Sequence, residues 1–311
     1  MDFWTKLEAS MRTRDSLLCV GLDPQPELIP SRYSSVAAFN RDIIEATASI
    51  ACAYKPNIAF YEALGDAGLD ALRETLAAIP SDIPVILDAK RGDIASSAQA
   101  YARAAFDVWG ADALTVAPYL GGDTVAPFFA RPDRGAFVLC KTSNPGAGEL
   151  QDWAQAGVPL YARVAELAQA WAGGREYGLV IGATYPDAIA EIRRRWPHAW
   201  FLVPGVGAQG GELPAVLQAG LRDDGLGLVI NASRSILYAA NPHGAAVSLR
   251  EQINAARDSA RARAHTRANA QDAPNTQPDL SPDVVRLAVA LHAAGCIRFG
   301  DFVLHSGARS P

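Results

Sequence analysis

The sequence predicts an α/β chain folded as a (β/α)8 TIM barrel, and three observations carry that expectation. Eight short apolar runs are spaced along the first 230 residues or so. Segments of helical period separate them. Polar and charged residues gather where the runs end. Of the 311 residues, 50% are hydrophobic, which is enough apolar material for one large core of about 250 residues plus an extension.

The strand candidates are residues 17–22, 51–54, 84–87, 113–116, 136–140, 178–181, 200–203 and 227–230. They are mostly continuous apolar runs, as expected of parallel strands covered on both faces. Amphipathic segments fall at 36–50, 66–79, 95–109, 153–171, 186–195 and 210–218, with a further helical stretch after Ser235. A strand followed by a helix, eight times over, is the barrel pattern. A doubly wound open sheet is the alternative. It fits less well, because no GxGxxG follows the first run.

After about residue 255 the composition changes. Residues 255–270 are Ala/Arg-rich with helical propensity, and 271–280 are polar and Pro-containing with no face to bury, so they read as linker. Ser281-Pro282-Asp283 is the signature of a helix start ahead of an apolar stretch. The expected organisation is a barrel over 1–262, a linker over 263–280 and part of another domain over 281–311.

The net charge of −5 and pI near 5.6 argue against a general nucleic-acid or membrane-surface binder. Cys19, Cys52, Cys140 and Cys296 form no CxxC pair, and three of them sit in apolar runs as core thiols. The first 14 residues hold no continuous apolar segment, and no run approaches 18 uninterrupted apolar residues. A soluble, cytoplasmic protein is expected.

In a barrel, the ends of the strands share one face, where such enzymes keep their active sites. Asp23, Lys55, Asp88, Lys90, Asp93, Thr142, Ser143, Gln209 and Arg234 all fall at those ends. Asp88 and Lys90 are two apart, so on an extended strand both point to one face. Taken alone, this pair is equally an ion pair ending a strand, with Asp93 capping the next helix. Asp23 before Pro24 is equally a turn residue. Together, Asp23, Lys55, Asp88 and Lys90 alternate in charge around the rim. Opposite charges within ~4–6 Å keep a lysine protonated, which makes Lys90 a poor nucleophile and a good acid.

A second cluster suits an anion. Pro204 to Gly211 (PGVGAQGG) offers backbone N–H groups and opens a helix, and Asn231-Ala232-Ser233-Arg234 adds a guanidinium. Lys141 to Gly148 (KTSNPGAG) is a polar loop whose Thr142 and Ser143 hydroxyls suit a planar heterocycle.

These motifs together resemble orotidine 5'-monophosphate decarboxylase. DAKRGDI at 88–94, KTSNPGAG, PGVGAQGG and GLD at 21–23 are similar to that family's motifs, over about residues 1 to 260. The resemblance implies a cofactor-free, metal-free reaction in which Lys90 protonates C6 of the pyrimidine as CO2 leaves. It implies that Lys55, Asp88 and Asp93 complete a Lys/Asp network, with Asp93 reaching into the site of a partner subunit in a homodimer. It places Asp23 at the ribose hydroxyls, Ser143 at the pyrimidine edge, and Gln209 and Arg234 on the phosphate. Ser97 stands where the family commonly has a Thr that contacts ribose across the dimer. Leu237 stands where a Tyr often follows the Arg, with Tyr238 next.

Residues 291–311 resemble the opening of orotate phosphoribosyltransferase, without that family's acidic phosphoribosyl-diphosphate loop. This implies a fused gene or a fragment of one, with no transferase activity from this chain. Two other readings compete. One is a related barrel working as a Mg²⁺-dependent sugar-phosphate decarboxylase or a Schiff-base aldolase, which EDTA or borohydride would reveal. The other is a non-catalytic scaffold.

Overall fold

A computed structural model of the chain describes residues 1–206, 213–272, 282–294, 302–303 and 309–310. They fall into two compact units, Met1–Arg263 and Ala264–Pro311.

The first unit is built on eight parallel strands: β1 (Leu18–Leu22), β2 (Ala53–Pro56), β3 (Ile86–Arg91), β4 (Ala113–Val116), β5 (Gly135–Lys141), β6 (Gly178–Ile181), β7 (Trp200–Pro204) and β8 (Leu228–Ala232). They pair in the order β2-β1-β8-β7-β6-β5-β4-β3. Parallel bridges Tyr54↔Val85 and Asn57↔Asp88 bring β2 to β3 and close the circle. The (β/α)8 barrel expected from the sequence is the observed fold. Its strands are buried along most of their length, which is why the runs read as continuous rather than alternating.

Five strands extend past the last residue of the apolar run that announced them. β2 includes Lys55 and Pro56, β3 runs through Asp88 to Arg91, β5 takes in Lys141, β7 takes in Pro204, and β8 takes in Asn231 and Ala232. The ladder uses backbone groups only, so a polar side chain does not end a strand whose mouth offers it partners.

The helices differ in detail from the expected spans. The segment expected over 95–109 is α-helical at Ala95–Arg103 and then widens to a π-helical turn at Ala104–Val108. The segment expected from 153 begins at Leu160, after a small antiparallel ribbon pairing Ala154–Gln155 with Val158–Pro159. Gly121 (φ +97) opens a helix at Gly122–Phe129 that no periodicity announced.

A helix at Phe3–Arg14, capped by Asp2, closes the N-terminal end of the barrel. Trp4 stacks on Trp200, the first residue of β7, at 5.7 Å, and Phe3 meets Phe137 edge-on at 5.9 Å. Burying such a side chain contributes roughly 1.5–3 kcal/mol, so this end is a packed floor. Polar function is left to the opposite end. Cys19, Cys52 and Cys140 are buried in this core, and burial raises the pKa of each thiol. Cys296 lies outside the described residues.

Pro242–Asp272 is a single helix, so the stretch read as linker from 263 is helical through Asp272. Ala246 and Ile253 are buried, and Arg257 pairs with Asp15 at 2.7 Å. In the second unit, a helix at Pro282–Ala293 follows the expected start signal, and Phe302–Val303 pairs with Arg309–Ser310. The side chains of Val284, Val285, Leu287 and Val289 on this helix are exposed. Among the described residues no helix is long and apolar enough to cross a membrane.

Candidate active site

At the C-terminal end of the barrel, Asp88 is gripped from three sides. Its Oδ2 accepts from Lys55 Nζ at 2.7 Å, and its Oδ1 accepts from Lys90 Nζ at 2.6 Å and from Thr115 Oγ1 at 2.9 Å. The side chains of Lys55 and Asp88 are 5% and 12% exposed, that of Lys90 49%. One ammonium is therefore locked into the barrel, and the other reaches out from the same carboxylate into open space.

Burial alone would raise the Asp88 carboxyl. The adjacent Lys55 and Lys90 ammoniums outweigh that and hold it well below the usual carboxylate range. For Lys55, burial disfavours the charge, but Asp23 and Asp88 together push its pKa above the ordinary lysine value. Opposite charges in a restricted site favour the ionised forms of both.

The backbone reaches this arrangement in an unexpected way. Lys90 is not extended: its φ is +47°, the left-handed region that a side chain with Cβ adopts at a cost of order 1–3 kcal/mol. The β3–β4 register shifts between Leu87 and Arg91. Thr115 on β4 secures the distortion, its Oγ1 accepting from the N–H of Ala89 at 3.1 Å and of Lys90 at 2.9 Å. The expectation that Asp88 and Lys90 share a face is met, their side chains touching at 2.6 Å. What the spacing did not announce is that Lys90 leaves the extended conformation.

Two clefts meet at Lys55, Asp88 and Pro204. One, of about 370 Å³, is lined by Asp23, Asn57, Asn231, Ser233 and Arg234. Asp23 accepts from Ser233 Oγ at 2.6 Å and from the Asn57 N–H at 3.2 Å. Gly21 permits this closeness, since a Cβ there would sit 1.9 Å from Ser233 Oγ. Arg234 is exposed and has no side-chain partner among the described residues, and the buried Asn231 leaves its Oδ1 unpaired. The other cleft, of about 430 Å³, is lined by Lys90, Thr115, Thr142, Ser143, Asn144 and Gln151.

The structure therefore brings Asp23, Lys55, Asp88, Lys90, Thr142, Ser143 and Arg234 to one branched cavity. It does not bring Asp93 or Ser97 there within a single chain. Asp93 is half-buried with its Oδ1 accepting from the Ile94 N–H at 2.7 Å, and Ser97 is exposed on the helix Ala95–Arg103. Gln209 lies outside the described residues. Leu237 is buried. Tyr238 accepts from the Gln25 N–H at 2.7 Å, tying it to the loop after β1. Thr115 was missed, because inside an apolar strand a Thr signals only β-propensity.

A family model described as "Orotidine 5'-phosphate decarboxylase / HUMPS family" matches residues 16–249. The chain belongs to this family. An orotidine 5'-phosphate decarboxylase of Herpetosiphon aurantiacus is 50% identical over 259 residues, covering 81% of this chain and 96% of that protein. The bifunctional enzyme PyrF/PyrE of Nostoc sp. is 42% identical over 318 residues, covering 100% of this chain and 66% of its own. The solved structure of Leishmania donovani OMP decarboxylase superposes with a TM-score of 0.75 at 47% identity, covering 83% of this chain and 99% of that one. The activity that follows is that of a carboxy-lyase, decarboxylation of orotidine 5'-monophosphate in pyrimidine biosynthesis.

Proposed function

We propose that Lys90 is the acid of the decarboxylation and that the arm holding Thr142 and Ser143 receives the pyrimidine. The carrying observation is the Lys55–Asp88–Lys90 chain at the junction of the two arms, with Lys90 the member that reaches into open space. The bond from C6 to the carboxylate carbon breaks, CO2 departs, and the electron pair stays at C6. Lys90 Nζ stabilises that pair and donates a proton to it, leaving a neutral amine that solvent reprotonates. The step balances without a cofactor or a metal.

Asp88 holds the ammonium in place and lies against the substrate carboxylate. Two unit charges ~4 Å apart interact by ~4 kcal/mol at an effective dielectric near 20, so departure of CO2 relieves repulsion. Asp23 meets the ribose hydroxyls, and Gln209 and Arg234 hold the phosphate, anchoring the substrate at the far end of the cavity from C6.

Asp93 serves the neighbouring site of a homodimer, and Ser97 meets the neighbour's ribose. Support for this comes from their position outside the cavity of their own chain and from the exposed apolar Ile94, Tyr119 and Leu120 on adjoining loops. Residues 281–311 correspond to the opening of a phosphoribosyltransferase domain, preceded by a connecting segment from 263 that is helical through Asp272. The uncovered apolar side chains of the helix Pro282–Ala293 and the bifunctional relative support that reading. The enzyme works in the cytoplasm as a dimer with shared sites, which a gel-filtration mass checks.

Lys90→Ala tests the proposal. Removing a general acid costs ~10²–10⁴ in rate, so kcat for orotidine 5'-monophosphate should fall at least that far with UMP affinity nearly unchanged. Decarboxylation within tenfold of the parent would refute Lys90 as the acid.

A further inference from the structure

The chemistry above leaves Lys141 unused, although it is the last residue of β5 and only 2% exposed. Its Nζ lies 2.5 Å from Asp152 Oδ1 and 4.4 Å from the centre of the Tyr185 ring. Burying an ammonium carries a desolvation cost that an apolar side chain would avoid. The surroundings indicate what that cost secures.

Thr142, the next residue, is bound to Gln151, the neighbour of Asp152. The Thr142 N–H donates to Gln151 Oε1 at 2.8 Å, and Gln151 Nε2 donates to Thr142 Oγ1 at 2.7 Å. Ser143 is then seated against Gly182, where an added Cβ would come within 2.7 Å of the Ser143 Cβ. The Gly182 N–H donates to the Lys141 carbonyl at 2.7 Å. The loop leaving β5 thus turns back and is fastened to its own start. The ion pair lies at the root, and the residues lining the second arm of the cavity lie directly beyond it.

We propose that Lys141 is a positioning residue: through Asp152 it fixes the loop 142–152 so that Thr142 and Ser143 face the base. The pair thereby makes binding depend on the presence of a base rather than on sugar phosphate alone. This rests on the reading that the second arm receives the pyrimidine.

Asp152 is the residue to change, because its side chain is 53% exposed and an asparagine there keeps its shape and an acceptor oxygen for Lys141. In Asp152→Asn the inhibition constant of UMP should rise on the order of tenfold, the effect of losing a hydrogen bond between charged groups. That of ribose 5-phosphate, which has no base, should stay at the parent value. Asp152→Glu should restore UMP affinity. Equal losses for UMP and ribose 5-phosphate, or UMP affinity unchanged in Asp152→Asn, would overturn the proposal. Ser143→Ala, measured the same way, tests the base-arm reading separately: unchanged UMP affinity there would sink that reading, whatever Asp152→Asn does.

Discussion

The ends of β3 and β8 face the same cavity but are built in opposite ways. At the end of β3, both carboxylate oxygens of Asp88 have donors, Lys55 of the neighbouring β2 is sealed in, and a left-handed Lys90 is secured by Thr115. At the end of β8, Arg234 stands exposed without a partner among the described residues, and Asn231 Oδ1 is unpaired. In the proposed mechanism the difference separates two tasks. Groups that must meet charge developing at a reacting atom need to be placed in advance, since reorganising them during reaction would add to the barrier. Groups that hold a phosphate can be organised by the phosphate itself, and an unpartnered guanidinium is available to do so.

Substitutions can break this contrast, and the largest effect is expected at its centre. Asp88→Asn keeps the shape but removes the charge between two ammoniums. kcat should fall by ~10²–10³, the usual cost of losing one pre-placed electrostatic group. Thermal unfolding should also report the loss, because Lys55 keeps only Asp23 of the two carboxylates that raise its pKa.

The pH dependence of that stability difference follows from the directions of the shifts. Asp88 is depressed, so its contribution is present above the ordinary carboxylate pKa of ~4 and is lost only as pH falls through a still lower folded value. Lys55 is raised, so its contribution is full below ~10.4 and is lost only above that. The gap in melting temperature between parent and Asp88→Asn should therefore stay flat from about pH 5 to 9. A gap that closes inside this window would show that the pair is not ionised as described.

Arg234→Ala comes next and should act in a different kinetic constant. Loss of a charged hydrogen-bond partner for phosphate should raise KM by ~10–100-fold while leaving kcat within a few fold. A matching fall in kcat would erase the distinction between the two strand ends, and an unchanged KM would remove Arg234 from the phosphate.

How much of this was legible in the sequence follows the same division. The strands were visible because a parallel barrel strand is buried on both faces. Most of the rim charges were visible because ionisable residues at the ends of such runs are conspicuous. The conformation of Lys90 was not, since neither Gly nor Asn marks that position, and the left-handed turn is imposed from across the sheet by Thr115. Lys141 read as the first residue of a loop, because its carboxylate partner is eleven residues away around a turn that only the fold closes. Asp93 and Ser97 illustrate a different limit. The resemblance assigned them to a site shared between subunits, and a single chain keeps them out of its own cavity.

Thr115→Val is the most delicate test of pre-placement, since it removes one hydroxyl and keeps the volume. The Ala89 and Lys90 N–H groups lose their common acceptor, and Asp88 Oδ1 loses one of its donors. Leaving a fully buried donor unsatisfied costs about 1–3 kcal/mol, and these part-buried N–H groups lose less, an amount comparable to what holding Lys90 at positive φ costs. The strand can then relax toward ordinary extension, which would carry the Lys90 ammonium off its line to the reacting carbon. kcat should drop on the order of tenfold, with KM and UMP affinity unchanged. A variant with lowered melting temperature but parental kcat would mean that the Lys55–Asp88 pair alone fixes Lys90. Placement would then be a matter of charge and not of the strand's geometry.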